Sequence, residues 1–251
     1  METLTYAART DKGPVRPENQ DAVLADPPVF LVADGIGGQA GGGLASSAIV
    51  EEFRALAGRQ LDVDTVSAAV RAAHQRVVAL HADTPGAGST LCAVVAVRVE
   101  EEDQWMVLNV GDSRCYLVHG EVDGAAGEGD AEPRVVTQVT VDHSLVQELI
   151  DAGVLDPADA ELMPLRNVIT RAMGSEQESE ADVRLLPIVP GQRLMLCTDG
   201  LVNAVPMAEI EDVLIGRAET ESACQTLLDL ALGYGARDNV SVVVVDVQDG
   251  R

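Results

Sequence analysis

The chain has 251 residues, enough to bury a sizeable core, and 47% of them are hydrophobic, which excludes disorder throughout. Its 17 basic and 41 acidic side chains leave a net charge of −24. That balance repels nucleic acid and anionic lipid, so neither is expected as a partner.

Aromatic residues make up only 2% of the chain, so Val, Leu, Ile and Ala must build the core. In chain order, Thr3–Ala8, Ala22–Ala25 and Val29–Ala33 read as strands. A glycine-rich turn precedes a predicted helix over Leu44–Ala57. A second helix is predicted over Asp64–His81, with Val66, Ala69, Val70, Ala73, Val77 and Leu80 on one stripe and Asp64 as N-cap. Leu91–Val99, Trp105–Val110 and Cys115–His119 are strands in direct succession, an antiparallel trait. The acidic run Glu100–Asp103 reads as a solvated hairpin turn.

Gly120–Pro133 is Gly- and acid-rich and reads as a solvated loop before a strand over Val135–Gln138. His143–Ala152 is predicted helical, and Gly153–Asn167, with Pro157 and Pro164, irregular. Loops of that length in compact domains are often functional. Strands over Val183–Pro187 and Arg193–Cys197 follow, then helices over Met207–Ile215 and Glu219–Leu232, and a last strand over Val240–Val247. No repeat or low-complexity linker interrupts the pattern. A single domain over residues 1–251 is expected, with strand-rich sheets and outlying helix pairs in an α+β layered sandwich.

The four cysteines, Cys92, Cys115, Cys197 and Cys224, are widely spaced and form no CxxC pair. They read as buried and reduced, hence a reducing compartment. No apolar run approaches the roughly 20 residues of a membrane helix, and the N-terminal residues lack the apolar stretch of a signal peptide. A cytoplasmic, soluble protein is expected.

The chemistry lies in aspartates at strand ends. Asp34 ends VFLVAD, Asp112 follows VLNVG, Asp199 ends RLMLCTD, Asp238 precedes the last strand, and Asp21 closes Arg16–Asp21. Any one of these beside glycine is ordinary turn chemistry. Asp34 and Asp199, however, each end a strand apolar on both faces, so both sit deep. Carboxylates gathered there would repel one another unless a cation neutralised them. An all-oxygen cluster suits Mg²⁺ or Mn²⁺, whereas Cys and His show no zinc spacing. Two such ions could activate water for phosphoryl chemistry, with Arg16 as a forked clamp on phosphate.

These motifs, in this order, resemble the metal-dependent serine/threonine protein phosphatases of type 2C (the PPM family), in their compact bacterial form. The matching stretches are RPENQD at Arg16–Asp21, VADGIGGQAGG at Val32–Gly42, GSTL at Gly88–Leu91, NVGDSR at Asn109–Arg114 and DHSLVQELIDAGVL at Asp142–Leu155. RNVITRAMG at Arg166–Gly174, PGQRLMLCTDGL at Pro190–Leu201 and ARDNVSVVVV at Ala236–Val245 complete the set. The resemblance implies a four-layer α-β-β-α sandwich with two central antiparallel sheets. It implies hydrolysis of phosphoserine and phosphothreonine by a hydroxide bridging two Mn²⁺ or Mg²⁺ ions, without a phosphoenzyme.

By position, Arg16 corresponds to the phosphate-binding arginine and Asp34 to the carboxylate bridging both metals, with the Gly35 carbonyl as a further ligand. Asp199 and Asp238 correspond to the other ligands of one metal. Asp21 corresponds to a carboxylate at the other metal, acting through water, and Asp112 to a ligand of a third, weaker ion. Gly153–Asn167 corresponds to a variable flap. Phosphorylated proteins, including those served by a bacterial serine/threonine kinase, are the implied partners, and a monomer is expected. Where relatives often read DGMGGH, this chain has Gln39, which donates a hydrogen bond but supplies no proton at neutral pH.

Two rival readings exist. Gly35–Ala40 fits a GxGxxA dinucleotide fingerprint, but a second helix follows it and the βαβ unit is missing. A non-catalytic regulatory or phosphoprotein-binding domain on the same fold would be signalled by a lost metal carboxylate, and Asp34, Asp199 and Asp238 are all present. His143 reads as a capping or structural residue. His74, His81 and His119 read as surface or helix-face positions, and Arg114 as a structural partner of the acidic cluster.

Overall fold

The computed structural model describes residues 3–37, 41–120, 134–163, 165, 167–175 and 180–248. The elements run β1 (Leu4–Asp11), β2 (Ala22–Asp26), β3 (Val29–Ala33), β4 (Gly35–Ile36), α1 (Gly41–Arg54), α2 (Val63–Leu80), β5 (Gly88–Ser89), β6 (Leu91–Val99), β7 (Glu102–Val110) and β8 (Arg114–His119). They continue with β9 (Val135–Gln138), α3 (Leu145–Asp151), a 3₁₀ turn over Pro157–Leu162, β10 (Asp182–Pro187), β11 (Arg193–Cys197), α4 (Asp199–Val202), α5 (Met207–Gly216), α6 (Thr220–Gly233) and β12 (Val240–Val247).

Two five-stranded antiparallel sheets form the centre. One has the order β1-β12-β11-β8-β9 and the other β10-β7-β6-β3-β2; β4 and β5 pair separately. The period of two along each strand divides its side chains between two layers. In β3, Val29, Leu31 and Ala33 join a core with Ile49 and Phe53 of α1 and Val66, Ala73 and Val77 of α2. Phe30 and Val32 of the same strand point the other way. They pack with Trp105, Leu194, Leu196, Val243 and Val245 between the sheets. In β12, Val242 and Val244 meet Leu227 and Ala231 of α6 on the outer face. Two-sided burial explains why these strands read as unbroken apolar runs. The layering is helix, sheet, sheet, helix, as expected from the strand and helix order.

Boundaries shift in places. The cap of α2 is Asp62, whose carboxylate accepts from Thr65 N, so the predicted cap Asp64 lies inside the helix. The helix α1 begins at Gly41 and ends at Arg54, earlier at both ends than expected. His143 lies ahead of α3, whose N-cap is Ser144. In the acidic run, Glu100 takes the left-handed conformation (φ 55°), while Glu102 and Asp103 already belong to β7. His74 is buried on α2, where its Nδ1 accepts from Gly174 N at 3.2 Å. All four thiols are free and buried. Among the described residues no helix is long and apolar enough to cross a membrane.

Candidate active site

The strand-end aspartates come from both sheets. Asp34 leaves β3, and Asp21 immediately precedes β2 of that sheet. Asp199 opens α4 directly after β11, Asp238 stands just ahead of β12 in the opposite sheet, and Asp112 sits in the turn joining β7 to β8. Asp34, Asp112, Asp199 and Asp238 line one cavity of about 700 Å³ with Arg16, Gly35 and Thr90. Asp21 is not in its lining. Its Oδ2 instead accepts from Thr198 Oγ1 at 2.9 Å and Ser241 Oγ at 2.7 Å. Asp21, just ahead of β2, is thereby tied to β12 of the opposite sheet and to Thr198, just past the end of β11.

Backbone contacts hold these positions. Asp34 N donates to Thr90 Oγ1 at 2.9 Å, and Thr90 N donates back to Asp34 O at 2.9 Å. The Thr90 hydroxyl also bonds Ser113 Oγ at 2.7 Å. A Cβ on Gly35 would press within 2.5 Å of Gln20 O and into the Gly42 backbone, so the start of α1 can approach the strand end only at glycine. Gly200 is constrained likewise by Asn239 O. Asn239 organises the other side. Its Nδ2 donates to Lys12 O and Glu18 O, both at 2.9 Å, and its Oδ1 accepts from Gln20 N at 2.8 Å. The loop carrying Arg16 is thereby fixed beside Asp238, and Arg16 Nη2 donates to Asp238 Oδ2 at 2.6 Å. Asp238 Oδ1 accepts from Asn239 N at 2.9 Å.

Burial dominates the electrostatics. It pushes the Asp34 carboxyl well above the usual range, and the charges of Asp21, Asp199, Asp112 and Asp238 add to this. Asp21 rises to about 7 by desolvation, opposed by the Ser241 and Thr198 hydrogen bonds. Asp112 rises to about 7, first by desolvation and then by Asp199. Asp199 rises to about 6, by desolvation and then Asp238. Asp21 Oδ1 and Asp199 Oδ1 are buried without a hydrogen-bond partner. An orphaned buried acceptor costs about 1–3 kcal/mol, more when charged. A divalent cation would relieve both the repulsion and the orphaned oxygens.

The donor set is all oxygen, which fits Mg²⁺ or Mn²⁺. Among the described residues no group of three or more His, Cys, Asp or Glu side chains is arranged to hold one ion. Asp34, Asp199 and Asp238 line the same cavity, and Asp238 is engaged there by Arg16 and Asn239. The arrangement suits hydrated ions that take one or two carboxylates each and keep several waters, the habit of Mg²⁺.

Other expectations fall elsewhere. Arg114 binds Asp142 through Nε and Nη2, the shortest contact being 2.7 Å, so it is structural. His143 is structural too: its Nδ1 accepts from Gly111 N at 3.1 Å, and its Nε2 stands 3.2 Å from Asp182 Oδ2. Gln39 and the rest of 38–40 lie outside the described residues, as do Arg166, Pro164 and most of the predicted loop Gly120–Pro133. Two helices, α1 and α2, follow β4 without an intervening strand, which removes the dinucleotide reading. Burial drives every thiol upward, Cys197 and Cys224 to about 12, so none is a ready nucleophile. Sequence reasoning missed Thr90, Thr198, Asn239 and Ser241 as supports. All four lie in or beside the quoted motifs, but their partners are far away in the chain.

Comparison with known proteins agrees with this architecture. A family model described as Protein phosphatase 2C matches residues 17–230. The serine/threonine phosphatase stp of Listeria innocua is 32% identical over 262 residues, covering 97% of each chain. The serine/threonine protein phosphatase PstP of Mycobacterium tuberculosis is 35% identical over 252 residues, which cover 98% of this chain and 45% of that protein. The crystal structure of the M. tuberculosis phosphatase superposes with a TM-score of 0.86 at 34% identity, covering 98% of this chain and 99% of that one. A PstP catalytic domain in complex with two manganese ions gives 0.82 at 33% identity, covering 98% and 99%. With its layered sheets, its strand-end aspartates and these relatives, the chain belongs to the protein phosphatase 2C family.

Proposed function

We propose that this chain is a metal-dependent protein phosphatase that hydrolyses phosphoserine and phosphothreonine, acting as a single catalytic domain. The observation that carries the reading is the cavity itself. One arginine and four aspartates, three of them held above their usual pKa range by burial, line a space open to a phosphate group. When bound, two Mn²⁺ or Mg²⁺ ions would neutralise the phosphate and lower the pKa of the attacking water.

The residues that would hold the ions are Asp34, the Gly35 carbonyl, Asp199 and Asp238, with Asp21 serving the other metal through water and Asp112 offered to a third ion. Arg16 would leave Asp238 and grip two phosphate oxygens, fixing the phosphorus for in-line attack by water. The P–O bond to the serine or threonine breaks, and the alcohol leaves with a proton from solvent. No cysteine takes part, because all four thiols are buried and hard to ionise. Phosphoproteins are the substrates, and a serine/threonine kinase acting on the same proteins is the natural opponent. The relatives named as serine/threonine phosphatases support the phosphoprotein substrates. A cytoplasmic monomer fits the chain's acidity and free thiols.

Turnover of p-nitrophenyl phosphate and of a phosphothreonine peptide, measured with Mn²⁺ and with a chelator, tests the proposal. Cation-dependent release of phosphate from both supports it. Absence of turnover in either condition favours the regulatory reading.

A further inference from the structure

Residues 12–21 join β1 to β2 and carry Arg16, and from Pro14 to Asn19 they are exposed. Such a connection keeps a fixed course only where something ties it down. Its ends are tied. Gly13 N donates to Asp11 Oδ1 at 2.7 Å, and Asn19 Nδ2 donates to Thr10 Oγ1 at 2.8 Å. Gln20 O accepts from Ser46 Oγ at 2.6 Å and from Gly35 N at 3.2 Å. Gly13 has φ +70°, and a Cβ there would come within 2.5 Å of Asp238 O, so the loop backbone lies directly against the approach to β12.

Asn239 ties the two arms of this loop to each other. It is 5% exposed. One hydrogen of its Nδ2 goes to Lys12 O, ahead of Arg16, and the other to Glu18 O, beyond it, while Oδ1 accepts from Gln20 N. Both amide hydrogens are thus taken. Asn239 lines the catalytic cavity but has no side-chain hydrogen left for a phosphate, so it acts there through what it holds. What it holds is the arginine, whose guanidinium reaches Asp238, the residue next to Asn239, at 2.6 Å.

We propose that Asn239 is a positioning residue for phosphate binding: by gathering Lys12, Glu18 and Gln20 on one amide, it sets where the loop presents the Arg16 guanidinium. The inference rests on the phosphatase reading, which makes Arg16 the group that grips phosphate. A forked donor binds two oxygens only when its plane is aligned with them, and a misplacement of about 1 Å can cost about a hundredfold. Without the bonds to Lys12 O and Glu18 O the two arms part, and the apex carrying Arg16 drifts. The metal side is separate, because Asp238 Oδ1 accepts from the backbone N–H of Asn239, which any substitution short of proline keeps.

The test is a double-mutant cycle on the full chain, read by KM and kcat for p-nitrophenyl phosphate and by manganese titration. Asn239→Ala should raise KM by about tenfold, with a smaller change in kcat and manganese affinity within about twofold of wild type. In the Arg16→Ala background the same substitution should change KM by less than about twofold, since the group it positions is gone. Asn239→Ser, whose hydroxyl keeps one donation, should show an intermediate rise with the same dependence on Arg16, and it serves where the alanine variant fails to fold. An equal rise in KM with and without Arg16 overturns the proposal, as does an unchanged KM in the single variants. Weaker manganese binding with KM intact overturns it too. Absence of cation-dependent turnover in the wild type would sink the phosphatase reading instead.

Discussion

Arg16 Nη2 and Asp238 Oδ2 form a 2.6 Å ion pair across the mouth of the catalytic cavity. The guanidinium proposed to bind phosphate thus rests on a carboxylate proposed to bind metal. Asp238 and, more weakly, Asp34 and Asp199 hold the arginine firmly protonated. Cation binding would compete for that carboxylate and free the arginine for substrate. Arg16→Ala is expected to raise KM for a phosphopeptide by about tenfold to a hundredfold, the worth of charge-assisted hydrogen bonds. Manganese affinity should be unchanged or slightly tighter. Calorimetry showing weaker manganese binding with an unchanged KM would reverse the assignment.

Asp34 and Asp199 carry the heaviest expectation. Asp34→Ala and Asp199→Ala should each lower kcat by about a thousandfold or more, since each removes a fixed charge at the reacting centre. Cys197→Ala, two residues before Asp199, should leave most of the turnover. Rates in the Asp34→Ala variant near those of wild type, with or without chelator, would refute the metal scheme.

The raised carboxylates predict a pH dependence of stability without metal. Asp21, Asp112 and Asp199 have folded pKa values of about 7, about 7 and about 6, against 3.8 for an unperturbed group. Between those limits the folded state binds more protons than the unfolded chain, so stability falls as pH rises from about 4 to 7. The thermal midpoint of chelator-treated protein should be higher near pH 5 than near pH 7.5. Asp21→Asn should flatten the difference, and added Mn²⁺ should stabilise more at the higher pH while releasing protons. A metal-free midpoint that climbs between the two pH values would contradict the carboxylate cluster.

Thr90 offers a test of the supporting shell. Its hydroxyl accepts from Asp34 N and bonds Ser113. Thr90→Val keeps the shape and removes both bonds, so kcat should drop by about tenfold to a hundredfold, as such supports typically cost. The drop should be accompanied by weaker manganese binding. A loss of thermal stability alone, with kcat and metal affinity intact, would make Thr90 merely structural.

Much of the fold was legible because the central strands are buried on both faces. Val29–Ala33, Leu91–Val99, Arg193–Cys197 and Val240–Val247 coincide with β3, β6, β11 and β12. The start of α1 was less legible. Glycines 41–43 argue against helix by propensity, yet packing of Gly42 against Gly35 and Gln20 holds them in one. The aspartates were visible in the sequence as a set at strand ends. Their supports were not, because Asp21 meets Thr198 and Ser241 across separations of 177 and 220 residues. Nor could a linear motif reveal that Asp238 would be claimed by Arg16, 222 positions away.

The catalytic cavity straddles a seam. Asp34 belongs to one slab of the sandwich and Asp199 and Asp238 to the other, with the Phe30, Trp105 and Leu194 layer between the slabs. Any sliding of one slab over the other would change the spacing of the carboxylates proposed to hold the ions before it disturbed either slab. Conservative resizing of a side chain in that middle layer should therefore register first as altered cation affinity, making the bound ions a vernier for the alignment of the two halves.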